Sequence, residues 1–153
     1  MIGVVRMKGY VQTSAAIRET MQMLRLDRIN HMVAVHDTPT VHGMLKKAEF
    51  LVTWGPLDAK TLGRVLEKRG RLAGDKALDA EFLKKNKAKD FEELAKQLMT
   101  GKTTLKALLI KPVFRLHPPR KGFGRQGVKK SFSVGGASGN RDELINGLIQ
   151  RMC

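Results

Sequence analysis

Apolar positions along the chain change their period several times, and each change marks a new element. Ile2 to Met7 (IGVVRM) is a short apolar run bounded by Gly9, which predicts an opening strand. From Ser14, a residue suited to cap a helix, Ile17, Met21 and Leu24 recur at helical spacing. His31 to Val35 (HMVAV) predicts a second strand. Thr38-Pro39 then supplies an N-cap and a proline at the first helical position before Val41, Met44, Leu45 and Ala48. Phe50 to Trp54 (FLVTW) predicts a third strand, stopped by Gly55-Pro56.

Residues 1–57 therefore read as a β-α-β-α-β core, an alternation that layers helices on a small sheet. Downstream the pattern turns helical. Asp58 heads a helix carrying Leu62, Val65 and Leu66 that closes at Gly70, and Asp90 with Glu93 makes a capping-box-like start before Leu94 and Leu98. Residues 58–111 are read as a mostly helical annex, with Lys84 to Lys89 as a solvated turn. A strand is expected at Val113 to Leu116, an extended loop over the rest of 112–139, and a last helix over 140–153. In that helix Asn140 and Glu143 stand at the start, and Leu144, Ile145, Leu148, Ile149 and Met152 form one apolar stripe.

Composition adds the partner. Hydrophobic residues make up 42% of 153, enough to bury a real core, while 29 Lys and Arg against 14 Asp and Glu leave a formal charge of +15. That balance favours a polyanion, and nucleic acid first. The excess is local, because residues 101–139 hold 9 basic and no acidic side chains. This stretch contains His117-Pro118-Pro119-Arg120-Lys121-Gly122-Phe123-Gly124-Arg125-Gln126-Gly127-Val128-Lys129-Lys130 and then Gly135-Gly136-Ala137-Ser138-Gly139. A flexible cationic segment of this kind suits phosphates spread along a groove and is expected to order mainly on binding, with Phe123 and Phe132 able to stack on bases.

The lone cysteine is Cys153, which cannot form an internal disulfide; a reducing, cytoplasmic setting, with neither a targeting segment nor a membrane span, is the expectation. Motifs that suggest other chemistry fail on context. Gly122-Phe-Gly124-Arg-Gln-Gly127 matches G-x-G-x-x-G but follows Pro118-Pro119 rather than a strand, and Gly101-Lys102-Thr103 lacks the earlier glycine of a P-loop. His31, His36 and His42 with Asp37 have no metal-ligand spacing, and no nucleophile elbow or paired-carboxylate setting is present. The expectation is a non-catalytic protein with no cofactor, no metal and no small-molecule substrate.

Two stretches carry a resemblance. They are Leu24-Arg25-Leu26-Asp27-Arg28-Ile29-Asn30 and the following His31-Met-Val-Ala-Val-His36-Asp37-Thr38-Pro39-Thr-Val-His42-Gly43-Met44-Leu-Lys46-Lys47. With Thr53-Trp54-Gly55, Leu116-His117-Pro118-Pro119-Arg120-Lys121-Gly122 and Gly135-Gly136-Ala-Ser-Gly139-Asn140-Arg141, the chain closely resembles the large-subunit ribosomal protein family L thirty, in its archaeal branch. The eukaryotic counterpart is called L seven, and this chain lacks that form's long basic amino-terminal extension. Short bacterial members look like residues 1–57 alone.

The resemblance implies an α+β fold whose β-α-β-α-β core holds a small three-stranded antiparallel sheet with helices on one face. It implies a structural constituent of the large ribosomal subunit, bound to large-subunit ribosomal RNA and neighbouring ribosomal proteins, with the small 5S-type RNA as a further candidate. By family, Arg25, Arg28, Asn30 and His31 at one turn, and Thr38, His42, Lys46 and Lys47 on the second helix, are expected near RNA. The composition adds Arg120, Lys121, Arg125, Lys129 and Lys130. The alternative is a transient ribosome-assembly or RNA-chaperone factor.

Overall fold

The apolar run at the start of the chain forms β1 (Ile2–Arg6), and all of its residues are buried. In the computed structural model, which describes residues 1–79, 82–83, 86, 88–124 and 126–153, this strand is the centre of a five-stranded sheet. β2 (His31–Val35) and β3 (Val52–Pro56) flank it, both antiparallel, with Val4 opposite Val33 on one side and Trp54 on the other. The expected three-stranded antiparallel sheet is thus the middle of the sheet and not its whole extent. β4 (Val113–Arg115) pairs antiparallel with β2, and the two-residue β5 (Gly139–Asn140) pairs parallel with β3, giving the order β4-β2-β1-β3-β5. A parallel strand of two residues has no period to read, and its pairing joins positions more than 80 apart in sequence.

Because side chains alternate across a strand, a fully buried β1 needs cover on both faces. α1 (Ala15–Met23) and α2 (Pro39–Lys47), with the residues that follow them, cover Ile2, Val4, Val33 and Trp54 through Met21, Leu24, Leu45 and Ala48. α3 (Ala59–Arg69), α4 (Phe91–Met99) and α5 (Ile145–Met152) cover Val5, Met32 and Phe114 through Leu62, Leu66, Leu94, Leu98, Ile145 and Leu148. The two helices of the β-α-β-α-β core thus share one face, and the annex and C-terminal helices cover the other, so both faces are covered. The cue was in the continuous run Ile2-Gly-Val-Val, since a sheet with one wet face would alternate.

Boundaries differ from the sequence reading where tertiary contacts override local pattern. β3 starts at Val52, not Phe50, because Phe50 lies in the preceding turn at 43% exposure, and it runs through Gly55 and Pro56. The last helix is preceded by a 3-10 turn (Asp142–Leu144), and Leu144 is 66% exposed, so it drops out of the apolar stripe. Asp58 and Asp90 stand at the N-cap positions without a side-chain capping bond; Glu93 accepts from the Lys89 N–H at 2.8 Å, one residue earlier than a capping box requires. Of the expected turn at Lys84 to Lys89, residues 84, 85 and 87 lie outside the described residues.

Gly55 lets the C-terminal segment sit on the sheet. A Cβ there would collide with the Asp142 carbonyl oxygen and stand 2.9 Å from Ile145 Cγ2. The Arg141 N–H is already tied to the Trp54 carbonyl at 2.9 Å, so the approaching backbone has little room to retreat. Gly55→Ala is expected to cost about 2–3 kcal/mol through overpacking. The check is the thermal midpoint, and an unchanged midpoint would mean that α5 is not seated against β3.

Candidate nucleic-acid interface

The turn from α1 to β2 is built around two residues with left-handed backbones. Arg25 (φ 58°) follows the end of α1, where its N–H donates to the Gln22 carbonyl and that of Leu26 donates to the Met21 carbonyl. This is the paired-bond helix end that usually places glycine at the left-handed position, and the buried Leu26 and Met21 supply its apolar contact. Here the position carries an exposed arginine instead. Asn30 (φ 64°) ties three segments together: its N–H donates to the Arg6 carbonyl at 2.8 Å, and its carbonyl accepts from the Leu116 N–H at 3.1 Å.

The strain at Arg25 has a testable consequence. Arg25→Gly is expected to stabilise the chain by up to about 1 kcal/mol, because glycine takes the left-handed conformation without a Cβ clash. The same change should weaken RNA binding by removing an exposed cation. A variant that is both less stable and equally tight on RNA would contradict both halves.

His31 opens β2 and lies opposite Arg115 of β4. Burial, then Arg115 and Arg28, push its pKa below the ordinary histidine value, so the ring is neutral at neutral pH. Its Nδ1 and the Oδ1 of Asn30 are buried without a hydrogen-bond partner among the described residues. Arg28 is exposed beside them. Arg115 was missed from the sequence, since only the register of β4 on β2 brings it to this turn.

Thr38, His42, Lys46 and Lys47 occupy a different place. Thr38 lies past the far end of β2 and caps α2, its Oγ1 accepting from the Val41 N–H at 3.3 Å. His42 Nε2 and Asp37 Oδ1 are 2.7 Å apart. His42 and Lys46 line a hollow of about 470 Å³ together with the carboxylates of Asp37, Glu49 and Asp142, so this region is electrically mixed. Lys46 and Lys47 sit in the last turn of α2, where they complement the helix dipole.

The basic loop leaves the sheet at Leu116, beside Asn30, so its start adjoins the Arg28 and His31 turn. It is more built than an extended linker. Arg151 Nη1 donates to the carbonyls of Arg120 (3.3 Å) and Gly122 (3.2 Å), and the Phe132 N–H donates to the Ser138 carbonyl at 2.7 Å. Phe123 packs against the core on the α3, α4 and α5 side of the sheet, and Phe132 lies under the Arg141 guanidinium at 4.5 Å, so both rings have protein partners. Arg120, Lys121, Lys129 and Lys130 are exposed. Arg125 lies outside the described residues.

Two arginines are structural instead. Arg6 is 2% exposed, stacks 3.6 Å from the Tyr10 ring and donates to the carbonyls of Lys8 and Leu26. Arg141 is 5% exposed and donates to Thr53 Oγ1 and the Ala137 carbonyl, both at 3.0 Å, which pins the returning loop to β3. Burial pushes the pKa of each below the usual arginine value. Among the described residues, no cluster of three or more His, Cys, Asp or Glu is placed to hold a metal, and no helix is long and apolar enough to cross a membrane.

Residues 2–52 match the family described as ribosomal protein L30p/L7e. Over nearly its whole length the chain is similar to large ribosomal subunit protein uL30 of Methanococcus maripaludis, at 49% identity over 149 residues and 97% of each chain. The uL30 protein of Nanoarchaeum equitans is 47% identical over 148 residues, covering 97% of this chain and 96% of its own. That of Methanococcus vannielii is 47% identical over 149 residues and 97% of each.

Proposed function

Because this chain belongs to the ribosomal protein L30p/L7e family, whose archaeal members named above are large ribosomal subunit proteins, we propose that it clamps folded ribosomal RNA through one cationic surface of two parts. It is a structural constituent of the large ribosomal subunit, with ribosomal RNA and other ribosomal proteins as its partners. The family is one of structural proteins and not of enzymes. The first part of the surface is the α1–β2 turn carrying Arg25, Arg28, Asn30 and His31, joined by Arg115. The second is the loop carrying Arg120, Lys121, Arg125, Lys129 and Lys130.

The observation that carries this reading is the Leu116 to Asn30 backbone bond, which starts the loop at the turn. A rigid turn can register on RNA shape while the loop follows phosphates, since most contacts to an RNA fold are to backbone and 2′-hydroxyl groups. Arg25 and Arg28 are the exposed cations of this turn and suit phosphate oxygens, while Asn30, through its backbone bonds to Arg6 and Leu116, holds the turn in shape. Thr38, His42, Lys46 and Lys47 are proposed as a weaker secondary contact, since three carboxylates share the hollow that His42 and Lys46 line. The 5S-type RNA is proposed as a second RNA partner.

Sedimentation of native lysate on sucrose gradients, at low and high salt, tests the reading. The expected result is stoichiometric presence in large-subunit and whole-ribosome fractions at both salts. Presence only in free or precursor fractions would favour a transient assembly factor. Cross-linking within the purified subunit would then identify the RNA, including whether the 5S-type molecule is touched.

A further inference from the structure

Next to the turn, and sharing Arg115 with it, a second set of cations converges around the free edge of β4. Arg69 at the end of α3, Arg71 just after it, Lys111 before β4 and Arg115 on β4 line a hollow of about 170 Å³ with Val113 and the carboxylate of Asp75. The elements are fixed by backbone bonds: the Lys111 N–H donates to the Arg71 carbonyl at 2.8 Å, and Arg71 bridges to Ala77 around the turn that carries Asp75. At ~30 Å³ per water, this volume corresponds to about five or six waters, room for a phosphate group and its ester oxygens.

Among the described residues, the cations here outnumber their partners. Asp75 contacts Lys111 Nζ and lies 3.1 Å from Arg115 Nη1, which together hold its carboxyl below the usual carboxylate range. Arg69 spends Nη2 on the Cys153 carbonyl at 3.1 Å and leaves its buried Nε without a partner among the described residues. Arg71 donates, within the same set, only to the adjacent Gly70 carbonyl. Asp75 itself is held on a short turn by two successive left-handed residues, Gly74 (φ 77°) and Asp75 (φ 61°), with its side chain half exposed. An exposed ion pair of this kind contributes little stability and exchanges readily for another anion.

We propose that this hollow is a phosphate-binding station for RNA, in which the Asp75 carboxylate occupies the anion position until a backbone phosphate displaces it. Arginine forks on two sides suit a phosphodiester's paired oxygens, with Lys111 as a point charge between them. Arg115 is shared: it faces Asp75 here and His31 across the strand pair, so the station continues the surface of the α1–β2 turn around the sheet edge. The chain thereby holds RNA with its annex as well as with its first 57 residues, and the inference rests on the RNA-binding reading above.

The test measures binding of the full chain to transcribed large-subunit ribosomal RNA across a salt series. Arg71→Gln combined with Lys111→Gln is expected to lower affinity on the order of tenfold and to reduce the salt slope by roughly 0.7–0.9 for each phosphate no longer neutralised. Asp75→Asn is expected to tighten binding severalfold, because it releases cations without removing one. Wild-type affinity and slope in the double variant would overturn the proposal, as would Asp75→Asn weakening RNA binding, which would make the ion pairs a structural clasp. Asp75 is exposed, so that single variant keeps the test decisive even where the double variant does not fold.

Inorganic phosphate separates the two anion sources. Expected is weak phosphate binding that competes with RNA at matched ionic strength; phosphate saturation that leaves RNA affinity unchanged would overturn an RNA site. Failure of the wild-type chain to bind RNA at all would remove the RNA-binding reading and this station together. Wild-type binding with unaltered station variants would remove the station alone.

Discussion

Phe114→Ala is expected to cost about 3–5 kcal/mol, the range for truncating a fully buried aromatic side chain. Phe114 is 0% exposed, lies opposite Met32 in the β2–β4 pair and belongs to the core cluster built by α3, α4 and α5. Its truncation opens a cavity where the sheet meets the annex, with flanking strands and helices that cannot all collapse onto it. Set against a typical total of about 5–15 kcal/mol, that loss removes a large share of the stability. Chemical denaturation measures it directly. A loss under about 1 kcal/mol, well below the range for such a cavity, would mean that β4 is a loosely attached edge and that the annex packs without it.

The largest functional effect is expected from replacing Arg120, Lys121, Arg125, Lys129 and Lys130 together with alanine. Affinity for large-subunit ribosomal RNA should fall on the order of a hundredfold near physiological salt, with a flatter dependence on salt concentration. Each neutralised phosphate releases counterions, so neutralising fewer of them lowers both quantities together. The melting transition should move little. Arg120, Lys121, Lys129 and Lys130 are exposed, and the bonds that shape the loop run from Arg151 to the carbonyls of Arg120 and Gly122, which alanine retains. An unchanged affinity and slope would refute the clamp. A collapsed melting transition would show that these side chains support the fold and would leave the affinity change uninterpretable as a phosphate effect.

The two variants act on parts of the molecule that were unequally visible in the sequence. The strand at Val113 to Leu116 was legible as an apolar interruption before Pro118, but its partner was not, because register across some 80 residues is decided by which faces must be buried together. Arg120 and its neighbours were legible as a candidate surface from composition alone, since nine cations without a carboxylate in 39 residues point to a polyanion. The shape of that loop was not legible. Its glycines and prolines suggested freedom, whereas Arg151 and Arg141 restrain it through bonds to its backbone.

The α1–β2 turn shows the same division on a smaller scale. Arg25, Arg28, Asn30 and His31 were marked by family resemblance, and the structure places them in one turn whose left-handed bend at Asn30 suits asparagine, while the one at Arg25 is a bend no propensity rule would have assigned to an arginine. Arg115 joins them only through the sheet. Phe132 was readable as a stacking platform for a base, yet in the fold it is the platform for Arg141. Thr38, His42, Lys46 and Lys47 were marked by family resemblance as well, and folding brings Asp37, Glu49 and Asp142 to the hollow that His42 and Lys46 line.

The sequence by itself determined most of the elements, the family and the location of the excess charge, because each is set by composition and by periods of a few residues. Tertiary structure alone decided which helices cover each sheet face, that five strands join in the sheet, and which cations meet. Those outcomes depend on long-range pairing, in which the burial of Val5 against α3 and α4, or of Arg141 against Thr53, outweighs anything that neighbouring residues express.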